Sequence, residues 1–177
     1  MAEVKYSILK DNKLLIENLQ NRNIIWRNFA GNKGDYNKNG DRKFTIVIDD
    51  PENAKKLAGY GWNIKTRLPK NSNDPDDAFY TLEVRIRFDL QFLRTDITQY
   101  TRAGKVRVNP DNIGNFDFAE FDKADIVLRP YIYQKNGGGT GIAAQVEEMN
   151  VKIHEGVLEA KWAEEEGPGE DDLPFEM

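Results

Sequence analysis

The sequence predicts an all-β fold with one or two short helices, on the basis of three observations. Short runs of β-branched and aromatic residues recur along the chain, and turn-forming residues separate them. The run FYTLEVRIRFDL, residues 79–90, alternates strictly, with Leu82, Val84 and Ile86 on one face and charged residues on the other. Strands and helices do not alternate, which favours a barrel or sandwich of six to eight strands over a parallel sheet.

The remaining strands are predicted from their β-branched and aromatic residues and from the breaks between them. Two short strands are expected on either side of Ala103 and Gly104, and KNGGG at residues 135–139 is expected to turn a hairpin. The other predicted strands cover residues 13–20, 23–29, 43–50, 62–68, 125–134 and 140–155.

One short helix, one helical turn and a long loop complete the expected structure. Asp50 followed by Pro51 combines an N-cap residue with proline at the first helical position, so a helix is predicted up to residue 60. NFDFAEFDKA, residues 115–124, is expected to form a helical turn. Residues 30–43 are rich in Gly, Asn and Asp and are predicted to form a polar loop.

These elements best fit an OB-fold-like barrel, the oligonucleotide- and oligosaccharide-binding architecture, with extra strands and inserted loops. Residues 1–163 are predicted to form this domain, since the length of 177 residues suits a single domain. Residues 164–177, EEEGPGEDDLPFEM, hold too little apolar surface to offset the entropy cost of ordering, so a disordered acidic tail is expected.

Composition excludes several kinds of protein. The chain has no cysteine, which excludes disulfides, cysteine nucleophiles and thiolate metal ligands. It has no apolar run of about 18 residues that would span a membrane. The N-terminus lacks the apolar segment and cleavage site of a secretory signal, so a cytoplasmic protein with no membrane partner is expected.

Charge is divided unevenly along the chain. The formal net charge is −5, from 25 basic and 30 acidic residues. Residues 164–177 contain seven of the acids and no base, so residues 1–163 carry a net charge of +2. A mildly basic body joined to a strongly acidic tail suggests two surfaces with different partners.

The sequence offers no catalytic constellation, and no catalytic residue, metal site or cofactor is expected. His154 is the one histidine, and a solvated position at a strand end is favoured for it. Asp49 with Asp50, like Asp76 with Asp77, is a pair of chain neighbours, whereas hydrolytic carboxylates converge across a cleft. GGGTG lacks the Lys-Ser/Thr and the helix of a phosphate-binding loop, which favours a hairpin turn.

Basic and aromatic residues, in contrast, are interleaved along the body, as in proteins that bind single-stranded nucleic acid. Cations contact phosphates and aromatic faces stack on bases, so this combination tolerates any base sequence. Phe79 shares a strand face with Arg85 and Arg87, and the loop 30–43 carries Tyr36 among basic residues. Any single aromatic residue on a strand is more often core than ligand contact. The candidate nucleic-acid-binding residues are Trp26, Arg27, Phe29, Lys33, Tyr36, Lys38, Arg42, Trp62, Lys65, Arg67, Phe79, Arg85, Arg87, Arg129 and Tyr131.

The tail places an apolar tip after a block of acid. Its charge resembles a run of phosphates, so the tail is expected to compete with nucleic acid for a basic groove. Once displaced, the tip is expected to bind partner proteins in an apolar pocket ringed by Lys and Arg. A plain solubilising tail is the alternative. The candidate partner-binding residues are Asp171, Asp172, Leu173, Pro174 and Phe175.

Two resemblances support this interpretation. EDDLPFEM resembles the acidic tip of bacterial single-stranded DNA-binding proteins, although Glu176 and Met177 follow the Phe that ends the bacterial pattern. The body, over residues 23–153, resembles a family of phage-encoded single-stranded DNA-binding proteins. The similar segments are IIWRNFAGNKGDYNKNGDRKFTIVIDD, GWNIK and LRPYIYQKNGGGTGIAAQVEEM. The positions in these motifs are Arg27, Asn28, Phe29, Gly31, Tyr36, Gly40, Arg42, Phe44, Gly61, Trp62, Lys65, Arg129 and Tyr131.

The resemblance implies an OB-fold body, protection of replicating phage DNA, and contacts with replication or recombination proteins in the host cytoplasm. The sequence therefore predicts a non-catalytic, largely sequence-independent single-stranded DNA-binding protein, and it is compatible with a homo-oligomer. Two alternatives stay open. One is a structural or virion-associated β-sandwich without nucleic-acid binding, and the other is a metal-dependent nuclease that uses Asp49 and Asp50.

Overall fold

A computed structural model describes residues 3–35, 37–156 and 158 of the chain. Strands make up about half of this part, and the α-helix α1 covers Pro51–Gly59. A 3-10 helix covers Ile113–Asp117. The strands are β1 (Lys5–Ile8), β2 (Leu14–Leu19), β3 (Ile24–Asn28), β4 (Arg42–Ile48), β5 (Ile64–Arg67), β6 (Phe79–Ile86), β7 (Asp96–Thr101), β8 (Gly104–Val108), β9 (Phe121–Gln134) and β10 (Thr140–Ile153).

The strands form one ten-stranded sheet, whose central path runs β1-β2-β9-β10-β6-β4-β3. The long β9–β10 hairpin is its centre, with 14 residues in each strand. The edge of β10 that faces away from β9 pairs in parallel with β6 at Ala144 and Gln145, and with β7 from Glu148 to Lys152. The β10 strand therefore joins two groups of strands, β3–β6 at its start and β7–β8 at its end.

The inner face of the sheet encloses one apolar core, as the alternation of β6 predicts. Leu82, Val84 and Ile86 are buried together with the apolar residues of β2, β4 and β10. Phe29 stacks on Phe44 with ring centroids 4.9 Å apart. Burying each such side chain contributes roughly 1.5–3 kcal/mol, which fixes the face that each strand turns toward water.

The helix α1 begins where the sequence predicts. The Asp50 carboxylate accepts a hydrogen bond of 2.7 Å from the backbone amide of Asn53, and Pro51 occupies the first turn. Its apolar side, Ala54 and Leu57, packs into the core. Within the described residues, no helix has the length and apolar character to cross a membrane.

The all-β prediction is confirmed, with three differences of detail. The described residues form ten strands, and the pattern misses β1, whose four residues gain their conformation by pairing with β2. The polar loop ends at Asp41, because Arg42 and Lys43 pair with β6. The predicted helical turn at 115–124 is wrong in its second half, since Phe121 to Ala124 pair with β10.

Candidate nucleic-acid interface

The outer face of β4, β5 and β6 collects the charged residues of these strands, with the exception of Arg42. Lys43 lies opposite Arg85, and Arg67 lies opposite Phe79. Directly paired residues project to the same side of a sheet, so these side chains share one surface, opposite the core. We call this surface the β4–β6 face; its residues are Trp26, Lys43, Thr45, Lys65, Arg67, Phe79, Glu83 and Arg85.

A β-bulge brings Trp26 to the edge of this face. The β3–β4 register shifts between Ile25 and Asn28, so β3 carries one extra residue there. Trp26 adopts a left-handed conformation with φ of 50°, which costs a non-glycine residue about 1–2 kcal/mol. Its side chain is 57% exposed. Strained, exposed aromatic residues are concentrated at functional sites, which marks Trp26 as a candidate ligand contact.

Trp26 forms an aromatic platform with two neighbours. The Phe79 ring centroid lies 6.5 Å from that of Trp26, with the ring planes 60° apart. The Arg67 guanidinium lies 5.5 Å from the centroid of the Trp26 ring, within cation–π range. An open cavity of about 540 Å³ adjoins the platform and is also lined by Lys43 and Glu83. The cavity thus presents both a ring face and cations.

The loop after β3 extends the face with further lysines. Lys33 and Lys38 line a second cavity of about 470 Å³ together with Asp41, Lys43 and Arg85. Because Lys43 lines both cavities, the two form one continuous surface. Backbone and side-chain hydrogen bonds hold the loop, including those that the Asn37 amide donates to three backbone carbonyl groups.

Carboxylates on this face balance part of the positive charge. Arg85 lies 3.7 Å from Asp41 and 3.8 Å from Glu83, and Lys43 lies 3.7 Å from Glu83. Exposed pairs of this kind contribute only about 0–1 kcal/mol, so an incoming anion can replace the carboxylates at low cost. Among the described residues, no carboxylate pairs with Lys65.

The other end of the face carries Arg87 and Tyr131. The hydrogen bond to Asp89 raises the pKa of Arg87, and the same bond lowers the pKa of Asp89. Tyr131 is 53% exposed and close enough to Arg87 to influence its pKa. Tyr131 therefore offers a second exposed ring beside a guanidinium.

Five predicted site residues lie apart from this surface or beneath it. The aromatic residues are buried: Phe29 is 0% and Trp62 is 2% exposed, so neither ring presents a face to a base. Sequence alone does not distinguish them from Trp26, because all three stand next to polar residues in strands or loops.

The three arginines of this group bind the protein itself. Arg27 donates to the carbonyl groups of Phe116 and Ala119, and burial lowers its pKa. Arg42 donates to the carbonyl group of Phe29 at 2.6 Å. Both arginines therefore tie β3 and β4 to neighbouring loops.

Arg129 lies on the same side of the sheet as Arg85 but is covered. It is 6% exposed and donates to Gln145 Oε1 and to the Arg94 carbonyl oxygen, and burial lowers its pKa. Arg129 thus fastens the segment before β7 over the sheet. We leave Arg27, Phe29, Arg42, Trp62 and Arg129 out of the proposed interface.

The candidate set lacks three residues of the β4–β6 face, Lys43, Thr45 and Glu83, and it also lacks the exposed Phe92. Lys43 joins the two cavities, and its alternation with the buried Phe44 is the signal that reveals it. Phe92 is 90% exposed on the segment that Thr95 attaches to the Arg87 carbonyl oxygen. No periodicity in the sequence marks Phe92, because this segment has no regular structure.

Three predictions concern residues elsewhere. Tyr36 and the tip residues Asp171 to Phe175 lie outside the described part of the chain. His154 stands just after β10 and its Nδ1 is 2.7 Å from Asp122 Oδ1. Within residues 3–35, 37–156 and 158, no three His, Cys, Asp or Glu side chains are grouped to hold a metal ion.

Comparison with known proteins gives one family and a shared fold. The sequence model of the family described as "Putative phage ssDNA-binding domain" matches residues 1–174. No curated protein matches the sequence.

Two solved structures resemble this one. The single-stranded DNA-binding protein from bacteriophage Enc34 in complex with ssDNA has a TM-score of 0.55 at 13% identity, over 88% of this chain and 95% of that chain. The C-terminal truncation of the Enc34 protein has a TM-score of 0.52 at 13% identity, with the same two coverages. This likeness concerns the fold, and it confirms the predicted OB-fold-like architecture.

Proposed function

The chain belongs to the family of phage single-stranded DNA-binding proteins, and on this premise we propose that it binds single-stranded DNA along the β4–β6 face without catalysing a reaction. One observation carries the proposal: the exposed Trp26 ring lies beside Phe79 and Arg67, on the surface that also holds Lys43 and Arg85. Every base has a flat π face and every nucleotide a phosphate, so this surface suits any base sequence.

Binding on this face exchanges one set of anions for another. Phosphates take the places of Glu83 and Asp41 beside Lys43 and Arg85, while bases stack on the aromatic platform. Each neutralised phosphate releases counterions, so affinity is expected to fall steeply with salt concentration. A low cost of breaking the existing pairs supports this exchange.

A titration of fluorescent poly-dT against the protein at low and high salt tests the proposal, with single-stranded RNA and duplex DNA as comparators. Salt-dependent binding to poly-dT is expected. Absence of binding at low salt would overturn the proposal and favour a structural β-sandwich protein.

The nuclease alternative finds no support at Asp49 and Asp50. Asp49 accepts hydrogen bonds from Arg22 and Asn23, and Asp50 caps α1, so their oxygens already have partners. Incubation with single-stranded DNA and Mg²⁺ is expected to leave the DNA intact.

The proposal includes the tail and a role in phage DNA replication or recombination. Seven acids and no base in residues 164–177 support competition with DNA for the β4–β6 face. Deleting these residues is expected to tighten DNA binding and to abolish capture of replication or recombination proteins. A titration with poly-dT measures the first effect, and weaker binding by the truncated protein would contradict the competition.

A further inference from the structure

A second cationic row crosses the sheet at the far end of β10. Lys105 of β8 lies opposite Tyr100 of β7, Tyr100 lies beside Lys152 of β10, and Lys152 lies opposite Lys123 of β9. Paired residues project to one side, so these four side chains form a line across four strands. At about 4.8 Å between strands, the line is roughly 14 Å long. We call it the lysine row.

The lysine row is open to solvent and only partly neutralised. All three lysines are exposed, and Tyr100 is 38% exposed. Lys123 lies 4.0 Å from Asp125, at the limit of an ion pair. Lys105 and Lys152 have no carboxylate partner among the residues the structure describes.

A surface cavity of about 390 Å³ lies along the row. Tyr100, Lys123 and Lys152 line it, together with Arg102 and Asp125. The cavity therefore offers a ring beside two ammonium groups. This is the combination that holds a base and its adjoining phosphates.

The row stands well apart from the β4–β6 face. Gln145 of β10 is level with Arg85 and with Arg129 of β9, and β10 carries one extra residue between Val146 and Glu148. Lys152 is level with Lys123, which lies six residues from Arg129 on the same face of β9. At about 3.3 Å per residue, roughly 20 Å of strand separates the two surfaces. Between them, Arg94 pairs with Asp96 and Glu148, and Arg107 pairs with Asp96, so two carboxylates balance two guanidinium groups.

We propose that the lysine row is a second contact site for single-stranded DNA, which a strand already bound on the β4–β6 face reaches when it is long enough. This inference rests on the proposed function. Lysines alone would bind an acidic peptide as well as they bind phosphates, but the exposed Tyr100 ring within the row favours a ligand whose flat bases can stack on it.

The test compares two triple variants of the full chain. In one, Lys105, Lys123 and Lys152 are each replaced by Gln; the control replaces the exposed Lys10, Lys55 and Lys70, which removes the same charge elsewhere. Each is titrated with a dT oligonucleotide of about 4–6 nucleotides, near the lower limit for one OB fold, and with a dT strand several times longer.

For the lysine-row variant, unchanged affinity for the short oligonucleotide is expected. For the long strand, the slope of log K against log salt concentration is expected to become less steep by about 2, since each single-strand phosphate contact contributes about 0.7. If the lysine-row variant and the control variant show the same slope of log K against log salt concentration for the long strand, the second site is overturned. The proposed function then still stands, because DNA binding itself persists. Loss of short-strand affinity also overturns it, because the row would then be the primary site. A wild-type protein that binds neither strand refutes the proposed function as well.

The ring and the competing occupant are tested separately. Tyr100→Ser is expected to weaken long-strand binding by roughly 5- to 150-fold, the effect of losing one stacked base, while Tyr100→Phe retains it. Equal losses in both variants overturn the stacking role. A synthetic peptide of residues 164–177 that binds the wild type but not the lysine-row variant, with DNA binding unchanged, assigns the row to the tail and overturns the proposal.

Discussion

Replacing Trp26 by glycine tests the DNA-binding role proposed for its ring separately from the effect of this residue on stability. The ring is 57% exposed and the Phe79 ring centroid lies 6.5 Å from its own, so its removal costs little packing. The left-handed φ of 50° is unfavourable by about 1–2 kcal/mol for any residue with a Cβ, and glycine avoids that cost. Glycine in turn lowers the free energy of unfolding by about 0.5–1 kcal/mol, because it has more conformational freedom to lose when the chain folds. Stability within about 1 kcal/mol of the wild type is therefore expected.

DNA affinity is expected to change much more than stability. Loss of one stacked base weakens binding by about 1–3 kcal/mol, or roughly 5- to 150-fold in Kd. Trp26→Ala should lose the same affinity but be less stable than Trp26→Gly, because alanine keeps the strained Cβ. Poly-dT titration and urea unfolding measure the two quantities.

A matched control is available at Tyr60, which is 51% exposed after α1. Tyr60→Ala removes an exposed ring outside the β4–β6 face, and unchanged affinity is expected. Wild-type affinity in Trp26→Gly would refute the stacking role. A glycine variant less stable than the alanine variant would refute the argument from backbone strain.

Three further predictions concern charge and burial. Replacing Lys43 and Arg85 together by Ala is expected to make the slope of log K against log salt concentration for poly-dT binding less steep by about 1.4. An unchanged slope would show that neither residue contacts phosphate. Arg129→Ala leaves buried acceptors without donors and is expected to lower the free energy of unfolding by about 1–3 kcal/mol in urea. Arg67→Ala, at an exposed position, should change the free energy of unfolding by no more than about 0.5 kcal/mol. Equal effects of the two substitutions would contradict the distinction between the buried Arg129 and the exposed Arg67. Burial raises the pKa of Tyr6 from 10.0 to about 12, so the neutral phenol is favoured in the folded state. Stability is therefore expected to hold below about pH 10 and to fall between about pH 10 and 12. Urea unfolding should show this fall in the wild type and less of it in Tyr6→Phe; identical curves would exclude Tyr6 as the cause.

The exchange of carboxylates for phosphates that we propose would give the acidic residues of the β4–β6 face a role in DNA binding. Glu83 lies within ion-pair distance of both Lys43 and Arg85, and Asp41 lies within ion-pair distance of Arg85. Because these pairs are exposed, their contribution to stability is small and their replacement is easy. In the proposed competition, the seven acids of residues 164–177 would be a further source of anions for these cations.

Local sequence pattern determined which residues of a strand share a face. Alternation along β6 placed Phe79 and Arg85 together, and their pairing with Arg67 and Lys43 puts them on one face. The Asp50–Pro51 start of α1 followed from capping chemistry alone. These features are local, because strand alternation and helix capping depend only on residues a few positions apart.

The tertiary structure decided which of those residues reach solvent. Trp26 is exposed because a bulge in β3 turns it outward, whereas Trp62 is buried beside β10. Arg85 and Arg129 lie on one side of the sheet, yet only Arg129 is covered, by the segment that contains Arg94. Burial depends on which distant segments pack over a residue. No spacing within a single strand carries that information.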